Sequence, residues 1–225
     1  MPVTDSVMVT ADSVAADLVV PDDPQGLIVL AHGAGSDRRS VLLGVLGDAL
    51  AHGGFAVARI DLPYRQRRPK GPPSPSKAAV DRDGIRAAVA VLRERVDVDG
   101  PVIVGGQSYG GRQASMAVAD DSRLADGLLL TSYPLHPPGR PEKARTEHLP
   151  DIVVPTLIVH GRSDAFGTSD EFARVLPLFG GPVRLVEIDK ADHGLKPERS
   201  GVGSATADAV GQWLAPRADE FRTRR

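Results

Sequence analysis

The chain has 225 residues, a formal net charge of −2 and no cysteine. That length suits one α/β domain with a sizeable core, and the near-balanced charge points to neither nucleic acid nor an anionic membrane surface as a partner. Disulfides, a cysteine nucleophile and a thiolate metal site are excluded. The N-terminus lacks the basic-then-apolar pattern of a secretory signal, and no apolar run approaches a membrane span, so a soluble cytoplasmic protein is expected.

Residues 6–10 and 13–20 are short, Val-rich segments separated by Ala11-Asp12. They predict an antiparallel pair, closed by a turn over residues 21–25. Leu27-Ile28-Val29-Leu30-Ala31 is a continuous apolar run, the pattern of a strand buried on both faces. The loop His32-Gly33-Ala34-Gly35-Ser36 follows, then a helix over about residues 39–51, stopped by Gly53-Gly54. Residues 55–60 read as the next strand, ending in Asp61-Leu62-Pro63-Tyr64-Arg65. After a Pro-rich loop over 69–75, residues 76–96 predict an amphipathic helix, with Val80, Ile85, Ala88, Val89 and Leu92 at roughly helical spacing.

The central segment is Val102-Ile103-Val104-Gly105-Gly106-Gln107-Ser108-Tyr109-Gly110-Gly111. It predicts a strand, a sharp turn and a helix over residues 112–119. Further strands are expected at 124–131, 156–160 and 183–188, and further helices at 169–178 and 205–214. An irregular Pro-rich connection occupies 132–151. Strands alternating with helices imply an α/β fold: a mostly parallel sheet covered on both faces, in a single domain spanning residues 1–225. The Arg-rich stretches 65–68 and 222–225 read as solvated loop and tail.

Gly106-Gln107-Ser108-Tyr109-Gly110 places a serine at the tip of the strand-to-helix turn. This is the context of a nucleophile elbow, where small residues two before and two after the serine allow strand and helix to pass closely. A serine hydroxyl needs a base within hydrogen-bond reach, itself oriented by an acid. Asp164 follows the strand at 156–160, and His193 follows the strand at 183–188. Both loops fall at the same edge of a parallel sheet as Ser108. The order serine, acid, histidine matches the order that such an elbow requires. Asp164 as a helix cap is the alternative reading, but Ser169 and Asp170 are better placed for that. Asp189 and Asp192 are alternative acids. Of the other histidines, His52 lies at a helix end, His136 and His148 in a loop, and His160 at a strand end expected to be buried.

Attack on an ester carbonyl builds a negative oxygen, which two preorganised N–H groups should stabilise. Tyr109 supplies one by position. The loop His32-Gly33-Ala34-Gly35 supplies the other, with Ala34 first and Gly35 second in order of preference. His32 itself reads as a structural hydrogen-bonding residue.

These segments together resemble the α/β-hydrolase superfamily from end to end, and within it the cap-less branch related to dienelactone hydrolase. The narrower likeness is to the KANL3/Tex30-type hydrolase-like family. It rests on His32-Gly33-Ala34-Gly35, Asp61-Leu62-Pro63-Tyr64-Arg65, Gly105 to Arg112, Tyr133-Pro134-Leu135-His136-Pro137-Pro138-Gly139, His160-Gly161-Arg162-Ser163-Asp164 and Asp192-His193-Gly194. Dienelactone hydrolases use a cysteine where this chain has Ser108, so their substrate is not carried across. The resemblance implies no cofactor and no metal.

The connection between the strands ending near Thr131 and starting near Thr156 is too short for a large lid, so an open, shallow site is expected. Small or protruding acyl groups suit such a site. Arg65 and Arg112 are candidates for binding a substrate carboxylate or phosphate. The competing reading has Arg112 paired with an acid and bracing loops. Tyr64, Tyr133 and Phe166 are candidates for an acyl pocket or for core. The functional expectation is a serine hydrolase acting on a small-molecule ester or thioester. A peptidase or acyltransferase would use the same residues, and a silent binding or scaffold protein is the alternative class. A dinucleotide-binding fold is excluded by the glycine spacing and the missing acidic residue.

Overall fold

A computed structural model describes residues 3–9 and 14–215 of the chain, with side chains from Ala15 onward. The predicted Ala11-Asp12 turn and the Arg222–Arg225 tail lie outside the described residues. One eight-stranded sheet organises the molecule: β1 (Val3–Val9), β2 (Val14–Val20), β3 (Leu27–Ala31), β4 (Ala56–Ile60), β5 (Val102–Gln107), β6 (Gly127–Thr131), β7 (Thr156–Gly161) and β8 (Val183–Ile188). Their order across the sheet is β1-β2-β4-β3-β5-β6-β7-β8. The pairs β1–β2 and β2–β4 are antiparallel, and β4 through β8 are parallel. The α/β-hydrolase fold expected from the sequence is therefore the observed one.

Each central strand alternates its side chains between two cores, as a pleated strand must. Leu27, Val29 and Ala31 of β3 face one core, together with Val102 and Val104 of β5 and Leu128 and Leu130 of β6. Ile28 and Leu30 face the other, with Ile103 and Leu129. The helices α3 (Ala78–Arg95) and α4 (Tyr109–Asp120) cover the first face. The second is covered by α1 (Val41–His52) and α6 (Val202–Leu214) through Leu42, Leu43, Leu46, Val210 and Trp213. A fully buried leucine or isoleucine contributes about 1.5–3 kcal/mol, so these apolar runs carry the fold.

Local signals set some of the helix starts. Ser40 caps α1, accepting the Leu43 N–H at 3.3 Å. α5 (Ser169–Val175) opens with a capping box between Thr168 and Glu171, so the cap is one residue before the Ser169 and Asp170 that the pattern favours. The buried stripe of α3 runs through Asp81, Ile85, Ala88, Val89 and Leu92. Val80 falls off that stripe and is exposed, whereas the carboxylate at Asp81 is fully buried. A short helix unanticipated in the sequence, α2 (Pro63–Arg67), begins with proline at its first position.

Between β3 and β4 the chain steps to one side of β3, and with β5 it steps to the other. The C-terminal edges of β3 and β5 therefore flank a crevice where strand order reverses, the usual ligand position of open α/β sheets.

Candidate active site

β5 runs directly into the turn that carries Ser108. This residue has φ 49° and ψ −113°, a backbone state that costs a non-glycine residue on the order of 1–3 kcal/mol. Close packing enforces it. A Cβ on Gly106 (φ 144°) would overlap the Ala31 backbone, and one on Gly110 would overlap the carbonyls of Ala31 and His32. α4 starts at Tyr109, three residues earlier than the pattern predicts, and the Arg112 N–H donates to the Ser108 carbonyl at 2.9 Å.

The loops after β7 and β8 bring Asp164 and His193 to this turn. Ser108 Oγ lies 2.8 Å from His193 Nε2, and His193 Nδ1 lies 2.7 Å from Asp164 Oδ2. Asp164 is buried, and its Oδ1 accepts the Phe166 N–H at 2.8 Å. The Phe166 ring stacks on the imidazole at 4.0 Å between centroids and 25° between planes. A carboxylate thus holds the edge of the imidazole while an aromatic ring holds its face. His160 is buried behind Asp164, with Nε2 2.8 Å from the Gly167 carbonyl. Burial lowers its pKa, so it stays neutral and adds no charge beside Asp164. Asp189 and Asp192 turn instead to Arg162 and Lys196.

The loop after β3 forms the opposite bank. His32 is fully buried; its Nε2 accepts the Leu62 N–H at 3.2 Å, so Nδ1 carries the proton and donates to Gly33 O at 2.8 Å. Burial lowers its pKa as well, which fits a neutral structural residue. The Tyr64 hydroxyl donates to Ala34 O at 2.8 Å and lies 3.2 Å from Gly33 O. Arg65 donates to the carbonyls of Ala34, Ser36, Arg68 and Gly71. Because N–H and C=O point oppositely in a trans peptide, holding Gly33 O and Ala34 O from outside turns the N–H groups of Ala34 and Gly35 the other way. Tyr109, the first residue of α4, has an N–H without an intrahelical acceptor. Its hydroxyl donates to the buried Asp81 at 2.7 Å, which, with burial, pushes the phenol pKa up.

A cavity of about 780 Å³ opens over Ser108. Ala34, Gly35, Tyr109, Arg112 and His193 all line it. Three of the expectations change. Arg65 is buried, spends its donors on carbonyls and does not line the cavity, so it braces the loop and is not a substrate ligand. Among the described residues Arg112 has no paired acid; its Nε is buried without a hydrogen-bond partner there, and its side chain borders the cavity. Tyr64 and Tyr133 are core residues, only Phe166 of the three aromatics reaching the cavity. Pro72, Pro73, Pro75 and Ala78 add an apolar wall to the cavity. Sequence reasoning missed that wall, along with Arg145 and Asp81. The only trace of them was the proline cluster itself and a carboxylate placed on an apolar helix stripe.

Among the described residues no helix is long and apolar enough to cross a membrane, and no group of three or more His, Cys, Asp or Glu side chains could hold a metal ion.

The fold recurs in solved structures. A dienelactone hydrolase from Anabaena variabilis ATCC 29413 superposes with a TM-score of 0.72 at 23% identity, over 96% of this chain and 97% of that one. Est1E from Butyrivibrio proteoclasticus gives 0.71 at 17%, over 94% and 99%. XC6422 from Xanthomonas campestris, described as an α/β serine hydrolase without lid, gives 0.66 at 14%, over 96% and 94%. Among curated proteins, "Putative phosphoribosyl transferase Rv0571c" of Mycobacterium tuberculosis (strain ATCC 25618 / H37Rv) is 29% identical over 164 residues, 67% of this chain. The match spans 32% of that relative's length. A model of the alpha/beta hydrolase domain matches residues 24–221, and the chain belongs to that family.

Proposed function

We propose that this protein is a serine hydrolase that cleaves small or protruding esters or thioesters through an acyl-enzyme on Ser108. The observation that carries this reading is the continuous relay from Ser108 Oγ through His193 to the buried Asp164, with contacts of 2.8 and 2.7 Å. In the first half-reaction Ser108 Oγ attacks the carbonyl carbon while His193 Nε2 takes the hydroxyl proton. Asp164 holds the imidazole with Nε2 toward the serine and stabilises the imidazolium that forms. The tetrahedral oxyanion is stabilised by the N–H groups of Tyr109 and Ala34, with Gly35 beside them. Collapse expels the alcohol or thiol, which takes the proton from His193. Water then repeats the sequence on the acyl-serine and releases the acid. No metal or organic cofactor has a role in these steps.

The KANL3/Tex30-type likeness, a single domain over residues 1–225 and a cytoplasmic location belong to the same reading. Its test is labelling with a fluorophosphonate probe, together with turnover of p-nitrophenyl acetate and octanoate. The wild type should label and favour acetate, while Ser108→Ala and His193→Ala should not label. An unlabelled, well-folded wild type would remove the activated serine from consideration.

A further inference from the structure

Among the described residues, the charged side chains that border the Ser108 cavity are two arginines, beside the imidazole of His193. Arg112, Arg145 and His193 line it, and no aspartate or glutamate does. Several arginines elsewhere meet carboxylate: Arg38, Arg82, Arg86, Arg123 and Arg162 each have a carboxylate oxygen within 4.0 Å, while Arg65 and Arg184 donate to carbonyl or amide oxygens. Among the described residues, Arg112 and Arg145 have none.

Both guanidiniums are held in place by the fold. Arg112 stands on the first turn of α4, one turn beyond Ser108, which is about 6 Å along the helix axis. Its Nε is buried with no partner, which is costly for a charged donor unless something else satisfies the group. Arg145 comes from the connection between β6 and β7. Its Nη1 donates to Pro134 O at 3.1 Å and its N–H to Leu135 O at 2.8 Å. The Tyr133 hydroxyl donates back to the Arg145 carbonyl at 3.0 Å. Burial and the charge of Arg112 both lower the Arg145 pKa, so the two cations feel one another. Guanidinium stays protonated regardless. Two like charges lining one cavity, with no carboxylate within 4.0 Å among the described residues, are a cost to the folded chain that an anionic ligand would reduce. Pro72, Pro73, Pro75 and Ala78 line the cavity with apolar surface.

We propose that Arg112 and Arg145 form an anion subsite beside Ser108, so that the preferred substrates are esters or thioesters bearing a carboxylate or phosphate group within about a helical turn of the scissile bond. This rests on the hydrolase reading above. A guanidinium pair presents planar donor forks that suit the oxygens of either anion, and each charge-assisted contact is stronger than a neutral one.

Matched substrates test the proposal. p-Nitrophenyl hemisuccinate is compared with p-nitrophenyl butyrate, and S-acetyl-2-mercaptoethyl phosphate with S-(2-methoxyethyl) thioacetate, so that both anions lie within about a helical turn of the scissile bond. The wild type should favour the anionic member of at least one pair by on the order of 10- to 100-fold in kcat/KM. The favoured pair tells carboxylate from phosphate. In Arg112→Gln and Arg145→Gln that ratio should fall toward one, and added salt should lower it in the wild type. A merely structural role would lower both members together and leave the ratio unchanged, which would overturn the subsite. So would a wild-type ratio near one in both pairs.

If the wild type hydrolyses none of the four, the hydrolase reading fails, and the subsite is judged by calorimetric titration of monomethyl succinate and methyl phosphate. Binding of either that weakens at least tenfold in both variants would uphold it. Absence of binding, or equal binding by the variants, would overturn it.

Discussion

The two banks of the Ser108 crevice use arginine in opposite ways. On the β3 bank, Arg65 is buried and surrounded by carbonyl oxygens, four of which accept from it. Its charge is satisfied inside the fold and its product is geometry: the peptide groups of Gly33, Ala34 and Gly35 face one way. On the α4 bank, Arg112 and Arg145 meet one carbonyl contact between their side chains and no carboxylate among the described residues. Their charge is left for whatever enters the cavity. The same residue type serves as a brace where acceptors surround it and as a recognition group where they do not. The difference is set by backbone placement alone.

The largest expected effect removes what both banks serve. Ser108→Ala should lower kcat on the order of 10⁴- to 10⁶-fold, as loss of a nucleophile does in a unit of this kind. The circular dichroism spectrum should be unchanged. Residual activity within tenfold of the wild type would show that the banks serve another nucleophile.

Next comes the brace. Arg65→Ala leaves several buried carbonyls without a donor, at about 1–3 kcal/mol for each group that water does not reach. A loss of roughly 3 kcal/mol should lower Tm by about 6–12 °C in a chain of this size. kcat should fall at the same time, because Ala34 and Gly35 lose their orientation. Arg65→Lys should recover little, since an ammonium cannot reproduce the fork of donors. A Tm within 2 °C of the wild type would place Arg65 with the recognition arginines, contrary to the distinction drawn here.

The converse substitution sharpens the comparison. Arg112→Gln relieves a like-charge repulsion with Arg145 and breaks no ion pair among the described residues. Its Tm should shift by about 2 °C or less, given that such changes stay near 0.5 kcal/mol. Thermal denaturation of Arg112→Gln beside Arg65→Ala gives the two banks directly.

The smallest effect concerns pH. His148 packs beside Arg112, with Nε2 2.8 Å from Ser115 Oγ, and burial with the Arg112 charge depresses its pKa to about 4. The unfolded chain, with an ordinary imidazole, binds the proton first as pH falls. Stability from this group is therefore present above about 6.5 and is lost between about 6.5 and 4. Urea denaturation of His148→Gln should show a flatter decline over that window than the wild type. An equal slope would mean that His148 is not held neutral.

Much of this was readable in the amino-acid order. β3 is a short apolar run, β5 opens as one and β8 is a Val- and Ile-rich segment at the sheet edge, and Ser108, Asp164 and His193 follow from placing a chemical residue after each of three parallel strands. Those inferences needed only local pattern and the rule that parallel strands end at one edge. The Thr168 cap was displaced by one residue because three neighbouring polar residues all qualify, and only the backbone angles choose among them. Val80 misled because an exposed valine and a buried aspartate exchange roles when the helix stripe is read one position out.

By itself, then, the sequence determined the α/β layering, the elbow and the order of the relay, because apolar periodicity and glycine at a crowded turn are local properties. Only the tertiary structure decided that Arg65 is a brace and Arg112 a charge with no carboxylate partner among the described residues, that Arg145 lines the same cavity from a distant connection, and that prolines 72, 73 and 75 wall the cavity. Those roles depend on which carbonyls, carboxylates and empty spaces lie within about 4 Å of a side chain, and no stretch of sequence carries that distance.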